Sequence, residues 1–218
     1  MTSPENPAAA ESSTTRLEAF SDGVFAIDIT LLVLEIRLPD EHQIEALGGL
    51  GKTLLGLWPS YLGYVVSFIV AGIMWANHHN VIRLVARVDH GLIVWNLLLL
   101  MAISFTPFPT AVMAEHLPHA GWDRNVAVAF YCGSFTLTAF FYNLMWRHVA
   151  RNRHLLRPHV SDAQVAAITR AYRPGTFIYG FATAVAFVSV VAALAIVFGL
   201  ALFFILPRRG AHVEPGRP

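Results

Sequence analysis

Charged residues are scarce in this sequence. Aspartate, glutamate, lysine and arginine make up 13% of the 218 residues, whereas 56% are hydrophobic and the mean hydropathy is +0.54. Soluble domains carry about 25% charged residues, so this chain has too few polar groups to cover a surface that faces water. The composition therefore predicts a membrane protein.

Other absences narrow the class of protein further. The single cysteine, Cys132, lies in an apolar run and has no partner for an intrachain disulfide. The sequence contains no TVGYG-like carbonyl filter, no arginine-rich voltage-sensor helix, no P-loop and no GxSxG nucleophile elbow. Nothing resembles the acid, base and nucleophile set of an enzyme. We therefore expect no catalytic residues, no cofactor and no metal site.

Long apolar runs fill most of the chain. A membrane-spanning helix needs about 20 apolar residues. Four segments meet this length: residues 17–38, 54–76, 91–114 and 125–146. A fifth stretch, Thr176–Leu206, has 31 residues without a formal charge, which is too long for one span at about 1.5 Å per residue. It forms either one overlong helix or a hairpin that turns near Ser189, with its first helix beginning around residues 166–173.

The basic residues favour the hairpin. With six spans and both termini in the cytoplasm, twelve of the fifteen lysine and arginine residues lie inside, and only Arg37, Lys52 and Arg124 lie outside. With five spans, the arginines of the C-terminal tail would be exported, against the tendency of cytoplasmic loops to be positively charged. The predicted fold is an all-α polytopic membrane protein with six transmembrane helices.

The chain divides into three predicted parts. Residues 1–15 are rich in Pro, Ala, Ser, Thr and Glu and lack the features of a secretory signal, so they predict a disordered cytoplasmic tail. Residues 16–207 form the six-helix transmembrane domain, and residues 208–218 form a second cytoplasmic tail. Pro107 and Pro109 fall inside the third span and predict a bend or local unwinding there.

The first predicted helix carries ionisable residues, which are expensive inside a bilayer and normally lie on a path for ions or protons. At about 100° per residue, the helix has two candidate linings for such a path. One is an apolar stripe with a single hydroxyl, formed by Ile27, Thr30, Leu31 and Leu34. The other is a polar stripe with a repeat of seven residues, formed by Ser21, Asp28 and Glu35. Packing against other helices is the alternative for both faces.

A second polar cluster is predicted at the cytoplasmic ends of the first two helices. The sequence MWANHH, residues 74–79, ends the second helix and is expected to lie close to the start of the first. The side chains expected to form a hydrogen-bonded network there are Arg16, Ser21, Asp22, Trp75, Asn77, His78 and His79. Adjacent histidines on a helix point about 100° apart, so His78 and His79 are poor ligands for one metal ion, although either is a candidate pH sensor.

Three motifs, taken in order, resemble the bacterial members of the transmembrane protein 175 family. They are RLEAFSDG (residues 16–23), MWANHH (74–79) and NLLLLMAISFTPFPTAVMAEH (96–116), and the similarity runs from Arg16 to about Pro207. The resemblance implies a potassium-permeable channel without the usual filter. It also implies a homotetramer in the bacterial cell membrane, with helix 1 lining a central pore.

The resemblance further implies roles for individual residues. Ile27, Leu31 and Leu34 match the bulky side chains of the pore constriction, and Thr30 matches a position implicated in potassium preference. Asp28 departs from the family pattern, in which many relatives are apolar. Bracing of helix 1 against helices 2 and 3 is implied for the following residues: Arg16, Phe20, Ser21, Asp22, Trp75, His78 and His79.

The sequence thus predicts a leak-type, potassium-preferring cation channel that contacts membrane lipids and monovalent cations and binds no nucleic acid. Potassium would be the permeant species and not a cofactor. One alternative is a proton pathway in which Asp28, Glu35 and the inner histidines act as a relay. Another is a membrane carrier or a non-conducting scaffold.

Overall fold

The computed structural model describes residues 7–205, with side chains described for residues 13–202. The first helix, α1, spans Pro7–Leu31 and continues as a 3-10 turn, Leu32–Glu35. The alanines at the start of its described part favour a helix. The predicted disordered tail is therefore wrong for residues 7–15, which are helical, while residues 1–6 lie outside the described range.

Most of the other long helices lie close to the predicted spans along the chain. They are α2 Glu41–Ala46, α3 Leu50–Gly56, α4 Trp58–Ile82, α5 His90–Ser104, α6 Pro107–His116, α7 Trp122–Arg151, α8 Asp162–Ala186 and α9 Val190–Ile205. Three segments of the described range are long and apolar enough to cross a membrane: Trp58–Ile82, His90–His116 and Trp122–Arg151. The predicted C-terminal tail, residues 208–218, lies outside the described residues.

The proline pair divides the third predicted span into α5 and α6. Proline has no N–H to donate, so Pro107 and Pro109 leave two carbonyl groups without their usual helical partner. The Ile103 carbonyl accepts instead from the Thr106 N–H at 2.8 Å, and the Phe105 carbonyl accepts from the Phe108 N–H at 3.2 Å. Each carbonyl thus accepts from the residue three positions later in the chain and not four, as in a 3-10 helix. Both carbonyls are therefore satisfied within an apolar segment.

The hairpin predicted near Ser189 is present in the structure. Helix α8 ends at Ala186, the Ser189 N–H bonds to the Val185 carbonyl at 2.8 Å, and α9 begins at Val190. The Ser189 hydroxyl accepts from the Ala192 N–H at 3.3 Å and so caps α9. Helix α8 begins at Asp162, four residues before the predicted start, because the Ser161 hydroxyl provides an N-cap.

One polar contact joins α5 to α7. The Asp89 carboxylate caps α5 by accepting from the Leu92 N–H at 2.7 Å, and both of its oxygens lie 2.9 Å from His148 Nε2. A side chain at Gly91 would collide with the His148 ring, so only glycine permits this approach. Partial burial would raise the pKa of Asp89, but these hydrogen bonds hold it below its ordinary value.

Candidate ion pathway along helix α1

One face of α1 is left uncovered by the rest of the subunit. The exposed fraction is 60% for Ile27, 41% for Leu31 and 64% for Leu34. Thr30 is exposed on the same face, and its hydroxyl donates to the Ile27 carbonyl at 2.8 Å. These four residues form a continuous surface of apolar side chains with one hydroxyl, which we call the apolar stripe.

The opposite face of α1 is buried among the other helices. Ser21, Phe25, Asp28 and Leu32 are each at most 1% exposed. Because α1 packs against α4 and α5 along this face, the polar stripe considered as a second lining lies inside the subunit at Ser21 and Asp28. Its third member, Glu35, follows α1 in the 3-10 turn and lies 3.4 Å from Arg37.

Asp28 is an isolated buried acid. Neither of its carboxylate oxygens has a hydrogen-bond partner among the described residues. An ionised carboxylate without a partner is costly in an apolar interior. The predicted relay through Asp28, Glu35 and the inner histidines is therefore not connected by hydrogen bonds between described side chains.

A buried hydrogen-bonded chain anchors α1 to α4 and α5. His78 Nε2 donates to Asn96 Oδ1 at 2.7 Å, Asn96 Nδ2 donates to Ser21 Oγ at 3.0 Å, and the Ser21 hydroxyl donates to the Leu17 carbonyl at 2.8 Å. The Phe25 ring packs on the imidazole of His78, with ring centroids 5.5 Å apart. Sequence reasoning missed Asn96, although an asparagine at the head of the apolar run NLLLLMAI was a signal.

A second group of contacts lies at the more exposed edge of the same region. Trp75 Nε1 donates to Asp22 Oδ1 at 2.9 Å, and His79 Nδ1 lies 3.0 Å from Glu18 Oε1. The rings of Trp75 and His79 stack, with centroids 5.9 Å apart. Sequence reasoning also missed Glu18, because its proximity to His79 depends on how α1 and α4 pack.

Three residues assigned to the network contribute differently. Phe20 is 54% exposed, and Arg16 is exposed and forms no ion pair within the described part of the chain. The bracing role expected of Arg16 and Phe20 therefore stays a prediction. Asn77 takes part through its backbone carbonyl, which accepts from the Tyr142 hydroxyl at 2.9 Å.

Comparison with known proteins identifies the family. The family model described as "Endosomal/lysosomal potassium channel TMEM175" matches residues 16–107, which include α1 from Arg16 onward, α4, α5 and the buried network. A potassium channel from Chamaesiphon minutus is 47% identical over 196 residues, covering 90% of this chain and 95% of the relative. The chain belongs to the TMEM175 family.

Two further matches support membership of the TMEM175 family. A potassium channel from Streptomyces collinus is 46% identical over 192 residues, covering 87% of this chain and 90% of the relative. The crystal structure of a lysosomal potassium-selective channel TMEM175 homolog from Chamaesiphon minutus matches with a TM-score of 0.80 at 47% identity. That match covers 88% of this chain and 96% of the solved chain.

The Asn96 amide is expected to be the costliest polar group to remove from the buried network. Asn96→Leu leaves His78 Nε2 buried without its acceptor, at about 1–3 kcal/mol for the unsatisfied group, and the Ser21 hydroxyl loses one incoming hydrogen bond while it still donates to the Leu17 carbonyl. The expected result is a clearly lower thermal midpoint of the purified protein in detergent. Asn80→Leu, at an exposed asparagine of α4, is the matched control and should leave the midpoint nearly unchanged.

A double variant separates lost hydrogen bonds from poor packing. Adding His78→Leu to Asn96→Leu removes the imidazole that Asn96→Leu leaves without a partner. The double variant should therefore lose less stability than the sum of the losses in the two single variants. Strict additivity would show that the two side chains are not energetically coupled.

Proposed function

We propose that this TMEM175-family chain is the subunit of a leak-type, potassium-preferring cation channel in the bacterial cell membrane. The observation that carries the proposal is the apolar stripe, which is exposed although Ser21 and Asp28 of the same helix are buried. The relatives from Chamaesiphon minutus and Streptomyces collinus are named potassium channels and resemble this chain over most of its length.

Six transmembrane spans are the arrangement that the helices support best. Three segments qualify by length and composition, and α1, α8 and α9 supply the remaining three. The described part of α9 has 16 residues, about 24 Å of helix at 1.5 Å per residue, in comparison with about 30 Å for a bilayer core. With both termini in the cytoplasm, the arginine-rich connectors after α4 and α7 face inward, in agreement with the charge bias of cytoplasmic loops.

A homotetramer would bring four copies of the apolar stripe around a common axis. Ile27 and Leu34 are seven residues apart, so the stripe would line about 10 Å of the pore. Rings of isoleucine and leucine have no polar atoms to replace the water molecules that an ion loses when it enters the constriction. Such a constriction closes by dewetting, and conduction requires the four helices to move apart slightly.

Selectivity would depend on pore diameter and on a ring of Thr30 hydroxyl groups. Each Thr30 hydroxyl donates its hydrogen bond to the Ile27 carbonyl. The lone pairs of the hydroxyl oxygen therefore remain available to a cation. Four hydroxyl oxygens form a weaker coordination shell than stacked rings of carbonyl groups. We therefore expect a preference for potassium that is modest in comparison with channels that carry a carbonyl filter.

Widening or wetting the constriction is expected to increase ion flow. Ile27→Asn and Leu34→Ala should each raise the conductance and reduce discrimination between potassium and sodium, because polar or small side chains lower the cost of wetting the pore. The measurement is planar-bilayer recording of the purified protein in asymmetric potassium and sodium solutions.

Leu202→Ala is the matched control for the constriction, because Leu202 is an exposed leucine of α9, away from α1. It should leave the currents unchanged. Wild-type currents in both α1 variants would contradict the proposed constriction. Slow, saturating flux without single-channel steps would indicate a carrier instead.

Proton conduction is a second candidate function, and the buried, unpartnered carboxylate of Asp28 is the observation that favours it. Asp28→Asn keeps the shape of the side chain and removes its titratable proton. If Asp28 carries protons, the variant loses acid-driven proton flux into liposomes and keeps its potassium current. Equal retention or equal loss of both fluxes would refute the relay.

A further inference from the structure

We propose that Glu18, Asp22 and His79 form a binding site for a divalent transition-metal ion of the Zn²⁺ type. One ligand atom from each side chain lies within 4.8 Å of the others. Three atoms at that spacing lie within about 2.8 Å of a common centre, whereas zinc–ligand distances are about 2.0–2.2 Å. Inward shifts of less than about 1 Å would therefore complete the coordination.

The site is assembled from two helices. Glu18 and Asp22 are four residues apart on α1, so they share one face of that helix. His79 approaches them from the last turn of α4. The sequence predicts no metal site here, because the neighbour of His79 along the chain is a poor second ligand: the imidazole of His78 bonds Asn96 instead.

One ring nitrogen of His79 has no hydrogen-bond partner among the described residues and is close to a carboxylate. Its Nδ1 is 3.0 Å from Glu18 Oε1, yet the orientation does not make a hydrogen bond, and this nitrogen is shielded from solvent with no partner among the described residues. A shielded ring nitrogen facing two carboxylates is suited to coordinate a cation. The side chains of Glu18 and His79 are 27% and 35% exposed, so an ion can reach the site.

Trp75 supports two of the three ligands. Its Nε1–H donates to Asp22 Oδ1 at 2.9 Å, which leaves the other carboxylate oxygen available. Its ring stacks on His79 with an interplanar angle of 28°. Contacts of this kind orient metal ligands, and their loss typically weakens metal binding by about 10–100-fold.

The chemistry of the three side chains selects the class of ion. Two carboxylates balance the charge of a divalent cation, and the imidazole favours Zn²⁺ or Co²⁺ over potassium and other hard ions. Three protein ligands leave a fourth position for water. A bound ion would link α1 to α4 at the end of α1 that precedes the apolar stripe, and would thereby restrain the helix proposed to line the pore.

The test uses the full-length protein in detergent, without a histidine tag and after treatment with a chelator. Co²⁺ is titrated in, and visible absorption reports its coordination by protein ligands. We expect one bound ion per chain, displaced by Zn²⁺. His79→Gln and Glu18→Gln should each abolish the absorption, and Trp75→Phe should weaken binding by about 10–100-fold.

His159→Gln is the matched control, since His159 is an exposed histidine far along the chain from the site. It should bind Co²⁺ like the wild type, which separates this site from adventitious binding by surface histidines. Size-exclusion profiles identify variants that do not fold, and Glu18→Gln preserves the bond between Trp75 and Asp22.

Failure of the wild type to bind Co²⁺, or unchanged binding by folded His79→Gln and Glu18→Gln, would overturn the proposal. The readout needs no ion flux. The metal site and the proposed channel activity can therefore fail independently.

Discussion

The rotational setting of α1 decides which face of this helix is buried in the subunit and which face is left uncovered. The bond from Asn96 to Ser21 fixes one side of the helix against α5, and the bond between His78 and Asn96 ties this contact to α4. Thr30 lies nine residues beyond Ser21, which is about 180° around the helix. Anchoring Ser21 inside the subunit therefore turns Thr30 and the apolar stripe outward.

This arrangement follows from what a bilayer can solvate. Polar groups that would be costly against lipid are placed inside the subunit, where Ser21, Asn96 and His78 satisfy one another. Apolar side chains can face lipid or a neighbouring subunit at no such cost. Asp28 and His78 Nδ1 are exceptions on the anchored face, because the carboxylate and this ring nitrogen are buried without a partner among the described residues. Acids within a membrane-spanning helix, which α1 is proposed to be, are usually functional.

Much of the fold could be predicted from the sequence, because its signals are local. The length of apolar runs marked the helices, and the arginine-rich connectors favoured a hairpin near Ser189, which is present. The division of the third span at Pro107 follows from the missing N–H of proline. The helical conformation of residues 7–15 was missed, since weight was given to the polar composition of residues 1–15 and not to the helix propensity of their alanines.

The site was less accessible to sequence reasoning, because it depends on contacts between distant helices. Periodicity showed two faces on α1 but gave no reason to choose between them, and only packing against α4 and α5 shows which face is covered. Asn96 and Glu18 were missed for the same reason, since their partners lie 75 and 61 residues away in the sequence. The bracing role of Arg16 and Phe20 stays a prediction, because family motifs do not reveal whether a contact lies within a subunit or between subunits.

Block by Ag⁺ tests most directly whether the exposed face of α1 lines the pore. A cysteine is introduced as Leu34→Cys after replacing the single native cysteine, which is buried, by Cys132→Ser. We expect Ag⁺ to block irreversibly the potassium current through this variant and not the current through Leu202→Cys on α9. Current through Leu34→Cys that persists undiminished in Ag⁺ would show that this face of α1 does not line the pore.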